Sequence, residues 1–112
     1  MKATYGFRAT VTARPGKGDE LVALLLSATS GEGPATNEDC VCFLVGRSVS
    51  NPDVVSIWEG WTTKEAHAKN FASDRAKAFT AKIAALAALV AGDGRYEEEV
   101  PIGGKWATGA TP

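Results

Sequence analysis

The stretch Cys40-Val41-Cys42-Phe43-Leu44-Val45 is apolar at every position. Successive side chains of a strand point to opposite faces of its sheet. A strand made of these residues therefore needs cover on both faces. Ser50-Asn51-Pro52-Asp53 is a turn signal, and Val54 to Trp61 beyond it puts Trp58 on one face and Trp61 on the other. Strand two, from about Asp39 to Ser48, and strand three, Val54 to Trp61, thus form a β-hairpin. A sheet built round this hairpin exposes aromatic and aliphatic area if either face is left in water.

The flanking segments supply the rest of the sheet and one layer of cover. From Ala3 to Ala13, Ala3, Tyr5, Phe7, Ala9, Val11 and Ala13 share one face, and Thr4, Gly6, Arg8, Thr10 and Thr12 the other. That period of two reads as a first strand. Pro15-Gly16-Lys17-Gly18 breaks it, and Asp19 and Glu20 suit a helix N-terminus. Leu21, Leu24, Leu25 and Ala28 recur at helical spacing, predicting a first helix from about Gly18 to Thr29. Residues 30–37 read as a loop. Thr62 followed by Glu65 is a capping box for a short helix from about Thr63 to Phe71. Ser73 and Asp74 offer a fresh N-cap for a third helix, with Ala76, Phe79, Ile83, Leu86 and Val90 on one face and a stop at Gly92-Asp93-Gly94. The last strand is expected from Arg95 to Ile102, with Glu97 and Glu99 on one side and Tyr96, Val100 and Ile102 on the other. Glu97-Glu98-Glu99 reads as a solvated strand edge.

The order β-α-β-β-α-β is the ferredoxin-like arrangement, an α+β fold with an antiparallel sheet. Its helices cover one face only. The other face, carrying part of the apolar hairpin, predicts a homodimer with two sheets packed face to face. The chain has 112 residues, room for one domain, expected over residues 1–105 with a mobile tail at 106–112. Of its residues 19 are alanine, and 11 of these lie between Ala66 and Ala91, so a thin core and a cavity are expected beneath those helices.

A formal net charge of −1 offers no basic face for nucleic acid. No apolar run is long enough to span a membrane, and the N-terminus lacks the apolar core of a secretory signal, so a cytoplasmic protein is expected. Cys40 and Cys42 would share a face of their strand and read as small buried hydrophobes. His67 is the only histidine, which excludes a His-rich metal centre.

Several segments resemble one family. Ala13-Arg14-Pro15-Gly16-Lys17-Gly18-Asp19-Glu20-Leu21 looks like the first strand-to-helix turn of the antibiotic biosynthesis monooxygenase domain. Cys40-Val41-Cys42-Phe43 leading to Arg47-Ser48 and Asn51-Pro52-Asp53 is similar to its central hairpin. Glu59-Gly60-Trp61-Thr62-Thr63-Lys64-Glu65-Ala66 resembles its Glu-x-Trp segment and capped helix, and Pro101-Ile102-Gly103-Gly104-Lys105 a common ending. The resemblance implies a dimeric α/β barrel. It further implies a monooxygenase that oxidises a hydroxylated aromatic, quinol or polyketide-like, with molecular oxygen and no cofactor or metal. A histidine of the quinol-oxidising branch is replaced here by Asn70, and another, near Asp74 to Arg75, is missing. The aromatic-polyketide branch has a tryptophan matching Trp61 and an asparagine matching Asn70.

His67 and Asn70 lie three apart on one helix, with Phe71 beside them, so they share a face. With Trp61 they can form one wall of a pocket: His67 moves a proton, Asn70 orients an oxygen substituent, and Trp61 and Phe71 contact a ring. The alternative is a surface histidine and an asparagine that helps end a helix. Tyr5 and Phe7 line either core or pocket, and Arg75 at a pocket mouth would steady a phenolate. Glu59 is a base or, more simply, the partner of a basic group. A non-catalytic dimeric binding or accessory protein of the same fold, or a related-barrel isomerase, would use the same residues.

Overall fold

In the computed structural model, which describes residues 2–88 and 95–104, the alternating segment forms β1, Tyr5–Thr12. The elements that follow are α1 (Gly18–Leu26), β2 (Cys40–Arg47), β3 (Val54–Trp61), α2 (Lys64–Phe71), α3 (Asp74–Leu86) and β4 (Arg95–Glu99). Short 3-10 turns at Ser27–Thr29 and Pro34–Thr36 punctuate the connection from α1 to β2. The sheet order is β2-β3-β1-β4, and each neighbouring pair is antiparallel. This is the ferredoxin-like α+β arrangement expected from the element order.

Alternation decides which residues meet the helices. Phe7 pairs with Glu59, Val11 with Val55, and Val45 with Ile57. On this face Ala13, Leu21, Leu25, Val55 and Ile57 form a core, with Phe43, Phe79, Ile83 and Leu86 packed against it. Leu21 and Leu25 are fully buried, worth about 1.5–3 kcal/mol each. A second cluster, Tyr5, Phe7 and Trp61 with Ala9 and Cys40, lies on the same face. The opposite face carries the row Leu44, Trp58 and Arg8. There Glu99 accepts from Trp58 Nε1 at 3.2 Å and Arg8 Nε at 3.0 Å.

Four expectations change. The residue capping α2 is Thr63, whose hydroxyl accepts the Ala66 N–H at 3.0 Å; Thr62 instead donates to Asp39 Oδ1 at 2.8 Å. Helix α3 stops at Leu86, because Ala87 turns extended to bridge Ala13, and Arg14 N–H bonds the Leu86 carbonyl. Strand β4 ends at Glu99 before Pro101, which has no N–H to donate. Between Cys40 and Cys42 a β-bulge shifts the register, so Cys40 faces Trp61 and Cys42 faces Gly60. The extra residue sends the two thiols to opposite faces. Burial pushes Cys40 up to about 12 and Cys42 up to about 11, so both stay protonated. Val90, Gly92-Asp93-Gly94, Lys105 and the 106–112 tail lie outside the described residues.

The turn before α1 locks the hairpin to the helix. Gly16 has φ +80°, which an L side chain rarely adopts. Asp53 accepts from Gly16 N–H at 3.1 Å and Gly18 N–H at 3.0 Å, satisfying donors at the start of α1. Arg47, exposed at the end of β2, pairs with Asp19 at 2.8 Å and donates to the Pro52 carbonyl at 2.6 Å. A β-carbon on Gly18 would sit 2.2 Å from the Pro52 carbonyl oxygen. Gly18→Ala should therefore force the hairpin off α1 and lower stability by about 2–3 kcal/mol, read as an earlier urea midpoint with unchanged slope. An unchanged midpoint would show that this approach relaxes freely.

Candidate functional site

Between the sheet and the helices lies a cavity of about 640 Å³. Its sheet side is formed by Tyr5, Phe7, Phe43, Ile57, Glu59 and Trp61, with Tyr96 and Glu98 from β4. Its helix side comes from Leu25 of α1, from Lys64, His67, Ala68, Asn70 and Phe71 of α2, and from Ala76, Phe79, Thr80 and Ile83 of α3. Pro34 and Ala35 of the loop close the remaining side. Small alanine side chains leave this space open where larger residues would fill it. Among the lining residues Trp61 is 1% exposed while Phe71 is 55% and Tyr96 53% exposed, so the wall runs from a buried interior to a mouth marked by Phe71 and Tyr96.

His67 is not a surface residue. Its ring is half-buried among Phe7 at 5.0 Å, Trp61 at 5.2 Å, Tyr5 at 5.6 Å and Phe71 at 5.9 Å between centroids. Burial moves its pKa down, partly opposed by the charge of Glu98, so the imidazole is neutral at neutral pH. A neutral imidazole offers one donor and one acceptor.

Asn70 is buried and also lines the cavity, but its amide already holds the wall together. Its Nδ2 donates to the Pro34 carbonyl at 3.1 Å, and its Oδ1 accepts from Asn37 Nδ2 at 3.1 Å. The loop that composition marked as irregular is thus tied to α2. Trp61 sits between His67 and Glu59, with its indole N–H donated to Glu59 Oε1 at 2.8 Å. Tyr5 and Phe7 are buried and face the cavity. Arg75 is exposed on the first turn of α3 and is not among the lining residues.

At the mouth the glutamates of β4 are not merely solvated. Glu98 accepts from the Tyr5 hydroxyl at 2.9 Å and pairs with Lys64 at 3.1 Å. These hydrogen bonds hold the Glu98 carboxyl below the usual range. The Tyr5 and Tyr96 hydroxyls lie 3.1 Å apart. Burial, then the bonds to Tyr96 and Glu98, raise the Tyr5 pKa, so its phenol stays protonated.

Glu59 is the residue whose surroundings sequence reasoning misjudged. Its expected basic partner does not exist among the described residues, whose ion pairs join Arg8–Glu99, Lys17–Glu20, Arg47–Asp19 and Lys64–Glu98. It stands on a central strand with Phe7 on one cross-strand side and Phe43 on the other. Burial pushes its pKa up to about 7 from 4.5, with the Trp61 bond pulling the other way. The available signal was its place in β3: an even spacing from Ile57 and Trp61 puts it on the helix-covered face.

The raised value has a stability consequence of definite sign. Between pH 4.5 and about 7 the unfolded chain loses this proton while the folded one keeps it, so stability falls as pH rises through that window. Above it the penalty is constant at about 3 kcal/mol. Glu59→Gln cannot ionise, so it should gain on the wild type by up to about 3 kcal/mol between about pH 4 and about pH 8.5 in urea unfolding. A gap independent of pH would contradict the burial of this carboxyl.

The family model described as antibiotic biosynthesis monooxygenase matches residues 4–82. A solved structure from Chloroflexus aurantiacus J-10-fl, named a putative antibiotic biosynthesis monooxygenase, is 26% identical with a TM-score of 0.75, covering 93% of this chain and 98% of that one. One from Caulobacter crescentus CB15, named in the same way, is 20% identical with a TM-score of 0.74, covering 91% and 92%. Rv0793 from Mycobacterium tuberculosis shares the fold at 17% identity and a TM-score of 0.72, covering 91% and 98%. No curated protein matches the sequence significantly. No helix among the described residues is long and apolar enough to cross a membrane. The match over residues 4–82, in a fold shared along nearly the whole length of these structures, makes the chain a member of the antibiotic biosynthesis monooxygenase family.

Proposed function

We propose that the protein is a cofactor-independent monooxygenase that oxidises a hydroxylated aromatic compound with molecular oxygen. The observation that carries this reading is the cavity itself: aromatic walls enclosing an imidazole and a carboxyl that titrates near neutrality. A planar ring fits against Trp61, Phe7 and Phe71. A hydroxyl on that ring meets His67 and Glu59, either of which can take its proton. The resulting phenolate is electron-rich enough to reduce oxygen without help from the protein. For an anthrone, which tautomerises to a phenol, the ring CH₂ becomes a carbonyl. Both C–H bonds break, one atom of O₂ stays as C=O, the other leaves as water, and all the electrons come from the substrate. A neutral His67 N–H would stabilise developing negative charge on oxygen. Asn70 holds the loop that closes the wall.

A non-catalytic binding role is the second reading, favoured by the engagement of the Asn70 amide with Pro34 and Asn37. Oxygen uptake by metal-stripped protein with a panel of anthrones and hydroquinones separates the two. Turnover above the autoxidation background, reduced at least about tenfold in His67→Ala, is expected. Ligand-dependent quenching of tryptophan fluorescence with no oxygen consumed would leave only the binding role.

The working unit proposed is a homodimer, its sheets packed through the face that bears Leu44 and Trp58. Sedimentation velocity at micromolar concentration should give the dimer mass. A stable monomer would overturn the assignment.

A further inference from the structure

We propose that Glu59, rather than His67, is the catalytic base that receives the proton of the bound hydroxyl. This assignment rests on the reading of the cavity as a site for a hydroxylated aromatic. Its first support is position. Glu59 lies in the middle of a central strand, between Phe7 and Phe43, and its side chain lines the cavity. Carboxylates seldom occupy such places unless paired or hydrogen-bonded.

Its second support is the asymmetry of its two oxygens. Oε1 accepts the Trp61 N–H at 2.8 Å, which fixes the orientation of the carboxyl. Oε2 takes no hydrogen bond from the described residues, and no described polar side-chain atom is both fully buried and unpartnered. Oε2 therefore opens into the cavity, available to an O–H donor. A ring lying against Trp61 would bring its hydroxyl to that oxygen.

His67 is built differently. Its ring is wedged among the aromatic side chains of Tyr5, Phe7, Trp61 and Phe71, and burial lowers its proton affinity. Burial raises that of Glu59, so at neutral pH the carboxylate is the better proton acceptor of the two. The step is a simple transfer. The phenolic O–H bond breaks, an O–H bond forms at Glu59 Oε2, and the electron pair stays on the ligand as phenolate. The oxidant in the steps that follow is molecular oxygen, as in the reading above.

The groups that surround Glu59 define the controls. Tyr5 on β1 stays protonated, as does Cys40 on β2. Glu98 on β4 is held ionised by Tyr5 and Lys64. Tyr96 on β4 and Lys64 on α2 also line the cavity. The cavity residues of α1 and α3 carry no charge. His67 on α2 is the remaining titratable group of the cavity, its pKa moved down by burial.

The test needs no turnover. Binding of 2-naphthol and of its methyl ether, 2-methoxynaphthalene, is measured anaerobically by calorimetry from about pH 5.5 to about pH 8.5. As Glu59 ionises, the naphthol gains a charge-assisted hydrogen bond, while the ether, with no proton to give, only strips water from the carboxylate. The naphthol-to-ether affinity ratio should rise about tenfold through a midpoint near pH 7. Glu59→Gln, which keeps an oxygen for Trp61, should flatten this dependence. His67→Gln should keep it, whatever its absolute affinity. A flat ratio in the wild type, or a dependence lost in His67→Gln and kept in Glu59→Gln, overturns the assignment. If the ratio behaves as expected but no substrate consumes oxygen, the monooxygenase reading fails and Glu59 remains the proton acceptor of the site.

Discussion

A carboxyl group in the middle of a sheet's apolar face sets the terms for the rest of this fold. Glu59 has phenylalanine on both cross-strand sides, and Trp61 beside it is almost completely buried. Packing a helix directly over it would bury the charge without water or a cation, which costs several kcal/mol. The structure resolves this in two ways. One oxygen takes the Trp61 N–H, and the space above the group is left as a cavity. The alanines of α2 and α3 make the second solution possible. Leu21, Leu25, Val55 and Ile57 form a core under α1, and the cavity lies between Glu59 on the sheet and His67 on α2.

Each wall of the cavity is held from outside. Asn70 ties the loop at Pro34 to α2, and Ser73 caps α3 by accepting the Ala76 N–H. Lys64 and Glu98 link α2 to the edge strand, and Tyr5 joins that link from inside. As an exposed ion pair, Lys64–Glu98 contributes little stability. Its position at the mouth matters more, because it joins the two elements that frame the entrance. The interior thus has a floor of strands and a side wall in which the Asn70 amide is already hydrogen-bonded. His67 and one oxygen of Glu59 are among the polar groups left to meet a ligand.

Much of this was legible in the sequence. Period-two alternation identified β1 and its buried face, and the Ser50-Asn51-Pro52-Asp53 turn placed the hairpin. Helix spacing put His67, Asn70 and Phe71 on one face, but left open whether that face met a pocket or solvent; the structure puts all three, with Trp61, among the cavity's lining residues. Three features were hidden for physical reasons. The bulge at Cys40–Cys42 adds a residue without any glycine or proline to mark it, so the two thiols looked as if they shared a face. The cap of α2 is a choice between adjacent threonines, settled by Asp39 claiming the Thr62 hydroxyl from a distant part of the chain. Glu59 read as half of an ion pair because a strand carboxylate usually finds a cation. Only the assembled sheet shows that no described lysine or arginine reaches it, and that among the described residues the one donor to its carboxyl is an indole two residues away.

The state of that one carboxyl is what distinguishes a chemically active cavity from a packing defect. It can be observed directly by carbon NMR on protein labelled at the glutamate side-chain carboxyls, with the Glu59 resonance identified by its loss in Glu59→Gln. Titration of the ligand-free protein should show this carboxyl changing state near pH 7, well apart from the other glutamates. A midpoint at the ordinary value of 4.5 would mean that Glu59 is solvated, and the base in the cavity would have to be sought elsewhere.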